Sequence, residues 1–367
     1  MLIRELTLSD FRNFPRASLV FAGRRQFFAG ANGQGKSNLL EAAGFLTALR
    51  SFRATDSRHL VMHDRPEAAA SFLIEREGMA AERVAVKIRR DGRELWYDGK
   101  RVSRLADHVG RFPTVVFSSQ DLQLIRGAPS LRRRWLDMTL ASIDPDYLAA
   151  LQAYGRALAG RNVILRRPGS GSTRELSAFD RTLAPSGARI VAMRAGRMGE
   201  LALETAAAYA AMGGGLEKAE LQYDSALHGV TADGLLALLE SARERDLAAG
   251  ATTVGPHRDD VRFLVGGAVA RDFASEGQQR SLMLALRLAQ AAWFHRRSGV
   301  RPVLLADDVL GELDPGRRDR FWRALDPQAQ VMATGTSLPD ASLGDWEVFS
   351  VAGGSAARQD RAMGAAD

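Results

Sequence analysis

The sequence contains no cysteine among its 367 residues, and only four of its 50 basic residues are lysines. The lack of cysteine excludes disulfides, thiolate metal sites and cysteine nucleophiles, and it favours a reducing compartment. No apolar run approaches the ~18 residues that a membrane span requires. The first residues, MLIRELTLSDFRNF, lack the unbroken apolar stretch of a secretory signal. We therefore expect a cytoplasmic protein without a membrane partner.

An excess of positive charge is present but mild, at +7 over the whole chain. Nearly all of the basic charge is arginine, which can bind a phosphate through two parallel hydrogen bonds. This charge favours a nucleic-acid partner without establishing one. The composition of 46% hydrophobic and 25% charged residues excludes a wholly disordered or fibrous chain.

The two ends of the chain differ in pattern from its middle. Strand-like alternation occupies much of residues 1–30 and 70–118, and it returns after residue 250. Residues 131–247 are rich in Ala, Leu and Arg and poor in β-branched residues, which is typical of helices. We predict an α/β head built from both chain ends, with a helical lobe inserted between them. The predicted ranges are head 1–128, helical lobe 129–249, head 250–352 and a disordered tail 353–367.

A phosphate-binding loop is predicted at residues 30–37, GANGQGKS, which match G-x-x-x-x-G-K-[ST] between an apolar strand and a helix. Its glycines let successive backbone N–H groups point at phosphate oxygens, and the helix N-terminus adds partial positive charge. Lys36 is expected to reach the β- and γ-phosphates of ATP, and Ser37 to bind Mg²⁺. The predicted nucleotide-binding residues here are Gly30, Ala31, Asn32, Gly33, Gln34, Gly35, Lys36, Ser37 and Asn38.

A second motif is the apolar strand VLLADD at residues 303–308, which ends in two carboxylates. Such a strand delivers its last side chains to the sheet edge where ligands bind. Asp307 is expected to hold Mg²⁺, and Asp308 to activate water as a general base. The alternative is a solvated pair of acids at a strand end, which a P-loop elsewhere in the chain disfavours.

A third motif, FASEGQQR at residues 273–280, precedes a long amphipathic helix. Ser275 is a good N-cap residue, and Gly277 gives access to the backbone of the first turn. Such a helix N-terminus can bind an anion. Taken alone, the segment is more typical of an ordinary capped helix than of an anion site.

Together the three motifs resemble those of ABC-type ATPases. The resemblance implies that Ser275, Gly277 and Gln278 close over the γ-phosphate held by a second subunit, so that ATP drives dimerisation. It also places a Q-loop at Gln120, with a role toward water or metal, and a D-loop at residues 311–314. The switch-loop histidine of transporters is absent, and Thr336 is a weaker candidate for phosphate contact after the corresponding strand.

Longer stretches resemble the RecF family of bacterial recombination mediators over nearly the whole length. The stretches are DFRNF (10–14), SNLLEA (37–42), RSFR (50–53), FSSQDLQLIRGAP (117–129), RRRWLD (132–137), the insertion stretch with RN (147–165), GPHRDD (255–260), ASEGQQRSL (274–282) and DDVLGELD (307–314). Where the family usually has Ser-Pro-Glu-Asp-Leu, this chain has Gln120 before Asp121.

The resemblance to this family implies an SMC-like ATPase head (lobe I) with a compact helical lobe II. It also implies binding of double-stranded DNA, including gapped duplexes and single-strand/double-strand junctions, by an ATP-dependent homodimer. Hydrolysis is expected to be weak and DNA-stimulated. The implied partners are RecR and RecO, with RecA loaded at single-strand gaps, in the SOS response and in replication-fork rescue.

Three other functions are weighed against this one. An SMC-like or nuclease-associated head would need a long heptad arm or a second acid cluster, and the insertion is short and interrupted at Pro168, Gly169 and Pro185. A scaffold with structural ATP would show no stimulation of hydrolysis by DNA. A transporter subunit would need coupling helices, which the sequence lacks.

Several basic and aromatic residues have two interpretations each. Arginines at the start and end of the first inserted helices, and a basic group on a predicted head hairpin, are candidates either for DNA contact or for solvated faces. These residues are Arg132, Arg133, Arg134, Arg161, Arg166, Arg167, Lys87, Arg89, Arg90 and Arg93. For His257 and Arg258 structural and functional roles stay equally open. His59 and His63 lack a third metal ligand, and the residues Trp135, Trp293 and Trp322 are expected in the core.

Overall fold

The computed structural model describes residues 1–49, 51, 53, 56–89, 92–167, 173–213, 217–309, 313–338 and 344–359. The strands are β1 Leu2–Phe11, β2 Phe14–Val20, β3 Arg25–Ala29, β4 Glu67–Glu75, β5 Glu82–Arg89, β6 Arg93–Tyr97, β7 Lys100–Arg101, β8 Thr114–Ser118, β9 Ala219–Asp224, β10 Asp260–Val265, β11 Ala268–Val269, β12 Val303–Asp307, β13 Val331–Gly335, β14 Glu347–Ala352 and β15 Ser355–Arg358. The helices are α1 Lys36–Ala48, α2 Leu122–Arg126, α3 Pro129–Ala141, α4 Pro145–Leu165, α5 Thr173–Gly213, α6 Ala232–Ser241, α7 Arg243–Ala249, α8 Ala270–Phe273, α9 Glu276–Ser298 and α10 Pro315–Ala324. The chain divides into two compact units, Met1–Asp121 with Gln290–Asp367, and Leu122–Ala289.

The first unit contains two six-stranded sheets. One is antiparallel, in the order β2-β1-β4-β5-β6-β7, and its strands alternate buried and exposed residues because one face covers a core. In the other, β14, β3, β13, β12 and β8 are parallel, with β15 antiparallel at the edge. Strand β12, which lies between β13 and β8, is buried at every position, as parallel strands usually are. Helix α1 packs on the parallel sheet, and its apolar residues join both sheets in one core.

The second unit is mainly helical and carries one small sheet. Helix α5 packs against α4 and α6, and strands β11-β10-β9 form an antiparallel sheet next to it. Pro185 lies inside α5, so the predicted interruption at this residue is wrong. Packing along both neighbouring helices offsets the ~3 kcal/mol that an internal proline costs. The other predicted breakers, Pro168 and Gly169, lie outside the described residues.

The observed division differs from the expected ranges in three places. The second unit begins at Leu122 rather than at residue 129. The second unit extends to Ala289 rather than ending at residue 249, because β10 pairs with β9 from Asp260↔Asp224 to Val265↔Ala219. Disorder from residue 353 is wrong for Ser355–Arg358, which pair with β14 through their main chains. Main-chain pairing does not depend on apolar side chains, so an Ala- and Gly-rich segment can still form a strand. Residues 360–367 lie outside the described part.

Three smaller expectations concern membrane spans, the tryptophans and the pair His59 and His63. Within the described residues, every helix is too short or too polar to cross a bilayer. Trp135, Trp293 and Trp322 are 5%, 1% and 7% exposed, which confirms that they belong to the core. His63 is almost fully exposed, and the described residues hold no cluster of three or more metal-ligating side chains around it or elsewhere.

Candidate nucleotide-binding site

The predicted P-loop links β3, in the middle of the parallel sheet, to the first turn of α1. Gly33 and Gly35 have φ values of 80° and 110°, which only glycine adopts without strain and which curl the loop. The Lys36 ammonium donates to the carbonyls of Gly30 at 2.7 Å and Ala31 at 3.0 Å. An ammonium has three donors, so one N–H of Lys36 is left for a phosphate oxygen.

The turn at residues 11–14, part of the DFRNF stretch, braces this loop. Asn13 Nδ2 donates to the carbonyl of Gln34 at 3.0 Å, and Asn13 Oδ1 accepts from Asn38 Nδ2 at 2.8 Å. The guanidinium of Arg53 donates to Asn38 Oδ1 at 2.9 Å. Asn13 and Arg53 belong to the family-like stretches DFRNF and RSFR, which predict no specific role for either residue. Their contacts with the P-loop and α1 depend on long-range folding, which motif spacing does not encode.

A buried carboxylate fixes the same turn to α1. The guanidinium of Arg12 donates to both Glu41 oxygens, at 2.8 and 2.7 Å, and the Ser51 hydroxyl also contacts Glu41. Glu41 is fully buried, so the ion pair and hydrogen bonds replace its lost hydration. Position 41 was part of the SNLLEA stretch without an assigned role.

The acidic strand end is organised by a threonine from the neighbouring strand. Thr334, in β13, donates its hydroxyl to Asp307 Oδ1 at 3.0 Å and accepts from the Asp308 N–H at 2.9 Å. Asp307 is 9% exposed, whereas Asp308 is exposed and has a left-handed φ of 55°. Thr334 lines the pocket described below and Thr336 does not, so the threonine that reaches the site is two residues earlier than the expected one.

One pocket of about 210 Å³ brings the P-loop and the acidic strand end together. Its lining residues are Asn32, Gly33, Gly35, Lys36, Ser37, Asn38, Arg53, Asp308 and Thr334. The described residues contain no cluster of three or more His, Cys, Asp or Glu that could enclose a metal. A Mg²⁺ ion next to a polyphosphate takes one or two protein oxygen ligands and fills its other positions with phosphate and water, and a hydroxyl and a carboxylate are oxygen ligands of this kind. Ser37 and Asp307 would supply the protein's share.

Gln120 lies in a short 3₁₀ turn, Ser119–Asp121, directly after β8. Its backbone N–H donates to Ser118 Oγ at 3.3 Å, and its side chain is exposed. It is not among the residues that line the pocket. The structure therefore places Gln120 at the end of the strand next to β12 without bringing it into the P-loop cleft.

The predicted signature segment lies in the second unit, at the first turn of α9. The Gln278 N–H donates to Ser275 Oγ at 3.3 Å, and the Ser275 N–H donates to Gln278 Oε1 at 2.6 Å. This reciprocal pair is a capping box, which confirms Ser275 as the N-cap. The Gln278 amide also donates to Glu217. Gln278 is thus bonded to its own helix end, a role that its position in a nucleotide motif did not indicate.

The next residue, Gln279, is 6% exposed and binds the residues just before α9. Its amide nitrogen donates to the carbonyls of Ala270 and Ala274, both at 3.1 Å, and its oxygen accepts from Arg126 Nε at 2.6 Å. Gln279 was not predicted as a site residue. The only sequence signal was the repeated glutamine, and its burial is visible only in the fold.

The candidate DNA-binding arginines of the second unit fall into two groups. Arg132 donates to both oxygens of Asp260, at 2.8 and 2.7 Å, and Arg133 donates to the Asp259 carbonyl. Arg161 is fully buried with Asp180 and Asp246. Arg132 and Arg161 are therefore structural, and the interpretation as DNA contacts is wrong for them because their guanidinium groups are bonded inside the protein. The exposed members of these clusters are Arg134, Arg166 and Arg167.

The basic hairpin in the first unit is partly neutralised. Arg89 donates to Glu67 at 2.9 Å and to Glu94 at 3.4 Å, and both ion pairs are at least partly exposed. Lys87 is half-buried, and Arg90 lies outside the described residues. Of the predicted D-loop, residues 311 and 312 also lie outside them, while Asp314 caps α10 by accepting from the Arg317 N–H at 2.9 Å.

His257 and Arg258 have structural partners. His257 Nδ1 shares a hydrogen bond of 2.6 Å with the Tyr154 hydroxyl, and Nε2 lies 2.9 Å from the Thr252 carbonyl. Burial lowers the pKa of His257, so its imidazole is neutral at pH 7 and Nε2 donates to that carbonyl. Arg258 donates to the same carbonyl at 2.8 Å. These contacts favour the structural interpretation of both residues.

Comparison with known proteins shows similarity over nearly the whole length of the chain. The family model described as RecF/RecN/SMC N terminal domain matches residues 2–338. The chain is 37% identical over 345 residues to the DNA replication and repair protein RecF of Geobacter metallireducens, covering 92% of this chain and 93% of that one. It is 36% identical over 370 residues to RecF of a Synechococcus species, covering 96% and 97%.

Solved structures agree in fold. A structure described as the recombination mediator protein RecF-ATPrS in the RecFOR pathway has a TM-score of 0.89 at 29% identity, covering 98% of both chains. The Smc head domain with an extended coiled coil from Pyrococcus furiosus has a TM-score of 0.54 at 16% identity, covering 97% and 95%, and shares the fold alone. The predicted ABC-type α/β ATPase fold is confirmed. The chain belongs to the RecF family of DNA replication and repair proteins.

Proposed function

We propose that the protein binds ATP with Mg²⁺ at the P-loop and, as an ATP-bridged homodimer, binds double-stranded DNA in recombinational repair. The observation that carries the proposal is the pocket of about 210 Å³ that is lined by Lys36, Ser37 and Asp308. Two solved RecF structures that the chain resembles are described as RecF-ATPrS and RecF-ATP. They support nucleotide as the ligand of this pocket.

Residues of the P-loop and of the two strand ends β8 and β12 have proposed parts in hydrolysis. Residues 30–38 hold the phosphates through backbone N–H groups and the remaining N–H of Lys36. Ser37 and Asp307 hold Mg²⁺, which neutralises charge on the phosphates when it is bound. Asp308 accepts a proton from the attacking water, and Gln120 orients that water or contacts the metal. Aspartate is one methylene shorter than the glutamate of related ATPases, which supports slow turnover.

The signature segment serves the nucleotide of a second subunit in this proposal. The Ser275 oxygen accepts from the Gln278 N–H, which leaves its hydroxyl proton to be donated to a γ-phosphate oxygen. Gly277 offers an N–H of the first helical turn, which has no partner within the helix. Gln278 supports this arrangement by orienting Ser275. ATP is then part of the dimer interface, and hydrolysis releases it.

DNA binding is assigned to exposed basic residues, with Arg134 and Arg166 in the second unit as candidates. Gapped duplexes and single-strand/double-strand junctions are the proposed DNA ligands. We propose RecR and RecO as protein partners, with loading of RecA downstream, in the SOS response and in rescue of stalled forks. This part rests on membership of the RecF family.

The first test is fluorescence anisotropy of a labelled gapped duplex with and without ATP at one salt concentration, since salt alone changes affinity. We expect tight binding with ATP only, and loss of this dependence in Lys36→Ala. Equal binding in both conditions would mean that ATP does not gate the DNA surface, and would favour a scaffold with structural ATP.

A second test separates hydrolysis from dimerisation. Asp308→Asn should bind ATP, hydrolyse it slowly and accumulate as a DNA-bound dimer in light scattering. Asp64→Asn is a matched control, because Asp64 is also exposed with a left-handed φ, of 61°, but does not line the pocket. An Asp308→Asn protein that stays monomeric with ATP would refute the dimer mechanism.

A further inference from the structure

The turn of the C-terminal hairpin, Gly353–Gly354 between β14 and β15, contacts the P-loop directly. The Gly353 N–H donates to Gln34 Oε1 at 2.7 Å. The Gln34 carbonyl in turn accepts from Asn13 Nδ2 at 3.0 Å. Two segments more than 300 residues apart in sequence thus hold one residue in the middle of the phosphate-binding loop.

The backbones in this region are in close contact. A methyl group built on Gly354 would lie 2.0 Å from the Asn13 carbonyl oxygen. One built on Gly30 would lie 2.3 Å from the Val351 carbonyl oxygen. Both distances are far below the ~3.5 Å at which non-bonded heavy atoms rest. The backbones of the hairpin, the 11–14 turn and the P-loop therefore pack together too closely for a side chain at either glycine.

Asn13 carries this contact to the first turn of α1. Its Oδ1 accepts from Asn38 Nδ2 at 2.8 Å, and a methyl group on Gly35 would lie 2.6 Å from its Nδ2. A shift of Asn13 would change both the Gln34 carbonyl and the start of α1. These are the two places where backbone N–H groups must face the phosphates.

We propose that the β14–β15 hairpin is a positioning element of the nucleotide site, acting through Gly353 on Gln34 and through Gly354 on Asn13. It touches no phosphate itself. It keeps the P-loop in the curled form that nucleotide binds, so an open hairpin lowers nucleotide affinity. This inference rests on ATP binding at the P-loop. By linkage, bound nucleotide must then protect the hairpin against opening by the same factor.

The decisive variant is Gly354→Ala, with Gly99→Ala as its control. Both glycines lie in hairpin turns and have nearly equal left-handed φ values, 76° and 78°. A methyl group on Gly99 meets nothing within 4 Å, whereas on Gly354 it meets the Asn13 carbonyl. Affinity for an ATP analogue with a methylanthraniloyl fluorophore should fall about tenfold in Gly354→Ala, as expected for loss of one or two hydrogen bonds to the loop, and by less than about twofold in Gly99→Ala.

Two further measurements keep the test valid if Gly354→Ala folds poorly. Gln34→Met keeps the length of the side chain without adding charge but removes the acceptor for the Gly353 N–H, and it should bind the analogue more weakly than the unmodified protein does. Hydrogen exchange of amides 351–356 in the unmodified protein should slow when the analogue is bound. No slowing, or Gly354→Ala with unchanged affinity, overturns the positioning role. If the unmodified protein does not bind the analogue at all, the proposed ATP function fails instead.

Discussion

Removal of the Arg161 side chain should destabilise the second unit more than any exposed arginine does. Its Nε donates to Asp180 Oδ1 at 2.8 Å, and its Nη1 donates to Asp246 Oδ2 at 2.6 Å. All three side chains are fully buried. Removing one partner of such a buried ion pair typically costs 3–5 kcal/mol, because the remaining charge is left without compensation.

The two aspartates keep other partners, which places Arg161→Met near the lower end of that range. Asp180 retains Arg243 at 3.2 Å, and Asp246 still accepts from the Thr253 N–H at 2.8 Å. Asp180 thus keeps a charged partner, whereas Asp246 keeps hydrogen bonds from Thr253 that do not neutralise its charge. We expect a loss of about 3 kcal/mol, a large share of the 5–15 kcal/mol that stabilises a typical domain.

The assay is amide hydrogen exchange of α4 with increasing urea, because it reports local stability in a protein of two units. Arg166→Met, at the exposed end of the same helix, is the control and should change the stability of α4 by less than about 0.5 kcal/mol. A loss below about 1 kcal/mol in Arg161→Met would refute the buried-network reasoning. So would weaker DNA binding with unchanged exchange, since that result would return Arg161 to the DNA-binding surface.

Three other predictions follow from contacts in the two units. Thr334→Val removes both hydrogen bonds at the acidic strand end and should lower the ATP hydrolysis rate about 10–100-fold, as loss of a residue that orients a metal ligand does. The measurement is steady-state phosphate release, in which Thr336→Val should change the rate little. Gln279→Ala removes the amide hydrogen bonds that hold the turn before α9, so it should weaken ATP-dependent dimerisation in light scattering and leave the affinity for the ATP analogue unchanged. Unchanged dimerisation would show that the signature segment does not need these hydrogen bonds. Burial lowers the pKa of His108 to about 4, so the unfolded chain binds the proton more tightly than the folded chain does. The free energy of unfolding should therefore fall by about 3 kcal/mol as the pH drops from 6.5 toward 4. Urea midpoints between pH 4 and 7 would show this slope, and it should flatten in His108→Gln.

Much of the fold could be predicted from local pattern. The strand pattern before residue 30, the helix after the P-loop and the strand VLLADD each have a strong period and clear ends. Pro185 and the residues after 352 were misjudged for one reason, which is that their structure depends on neighbours far along the chain. A proline is tolerated where helices pack on both sides, and an Ala-Gly segment forms a strand where a partner edge is available.

The site was predictable to the extent that its chemistry is contiguous in sequence. The spacing of GANGQGKS directly encodes the phosphate loop, and DD at a strand end indicates metal and water chemistry. Thr334, Asn13 and Gln279 were not predicted as functional, since each acts through a residue distant in sequence. Common residues such as these carry no recognisable spacing of their own.

The motif residues share one physical feature that explains why such supporting contacts matter. Lys36 uses two of its three donors on its own loop, Ser275 uses its oxygen as an acceptor for the helix end, and Asp307 uses one oxygen on Thr334. In each case the contact fixes the side chain and leaves another bonding position for phosphate or Mg²⁺. A group held in this way loses little conformational freedom on binding, so its affinity depends on the residue that holds it. The positions that a motif search overlooks should therefore control how well the motif works, and the Thr334, Gln279 and Gly354 variants test that at three separate places.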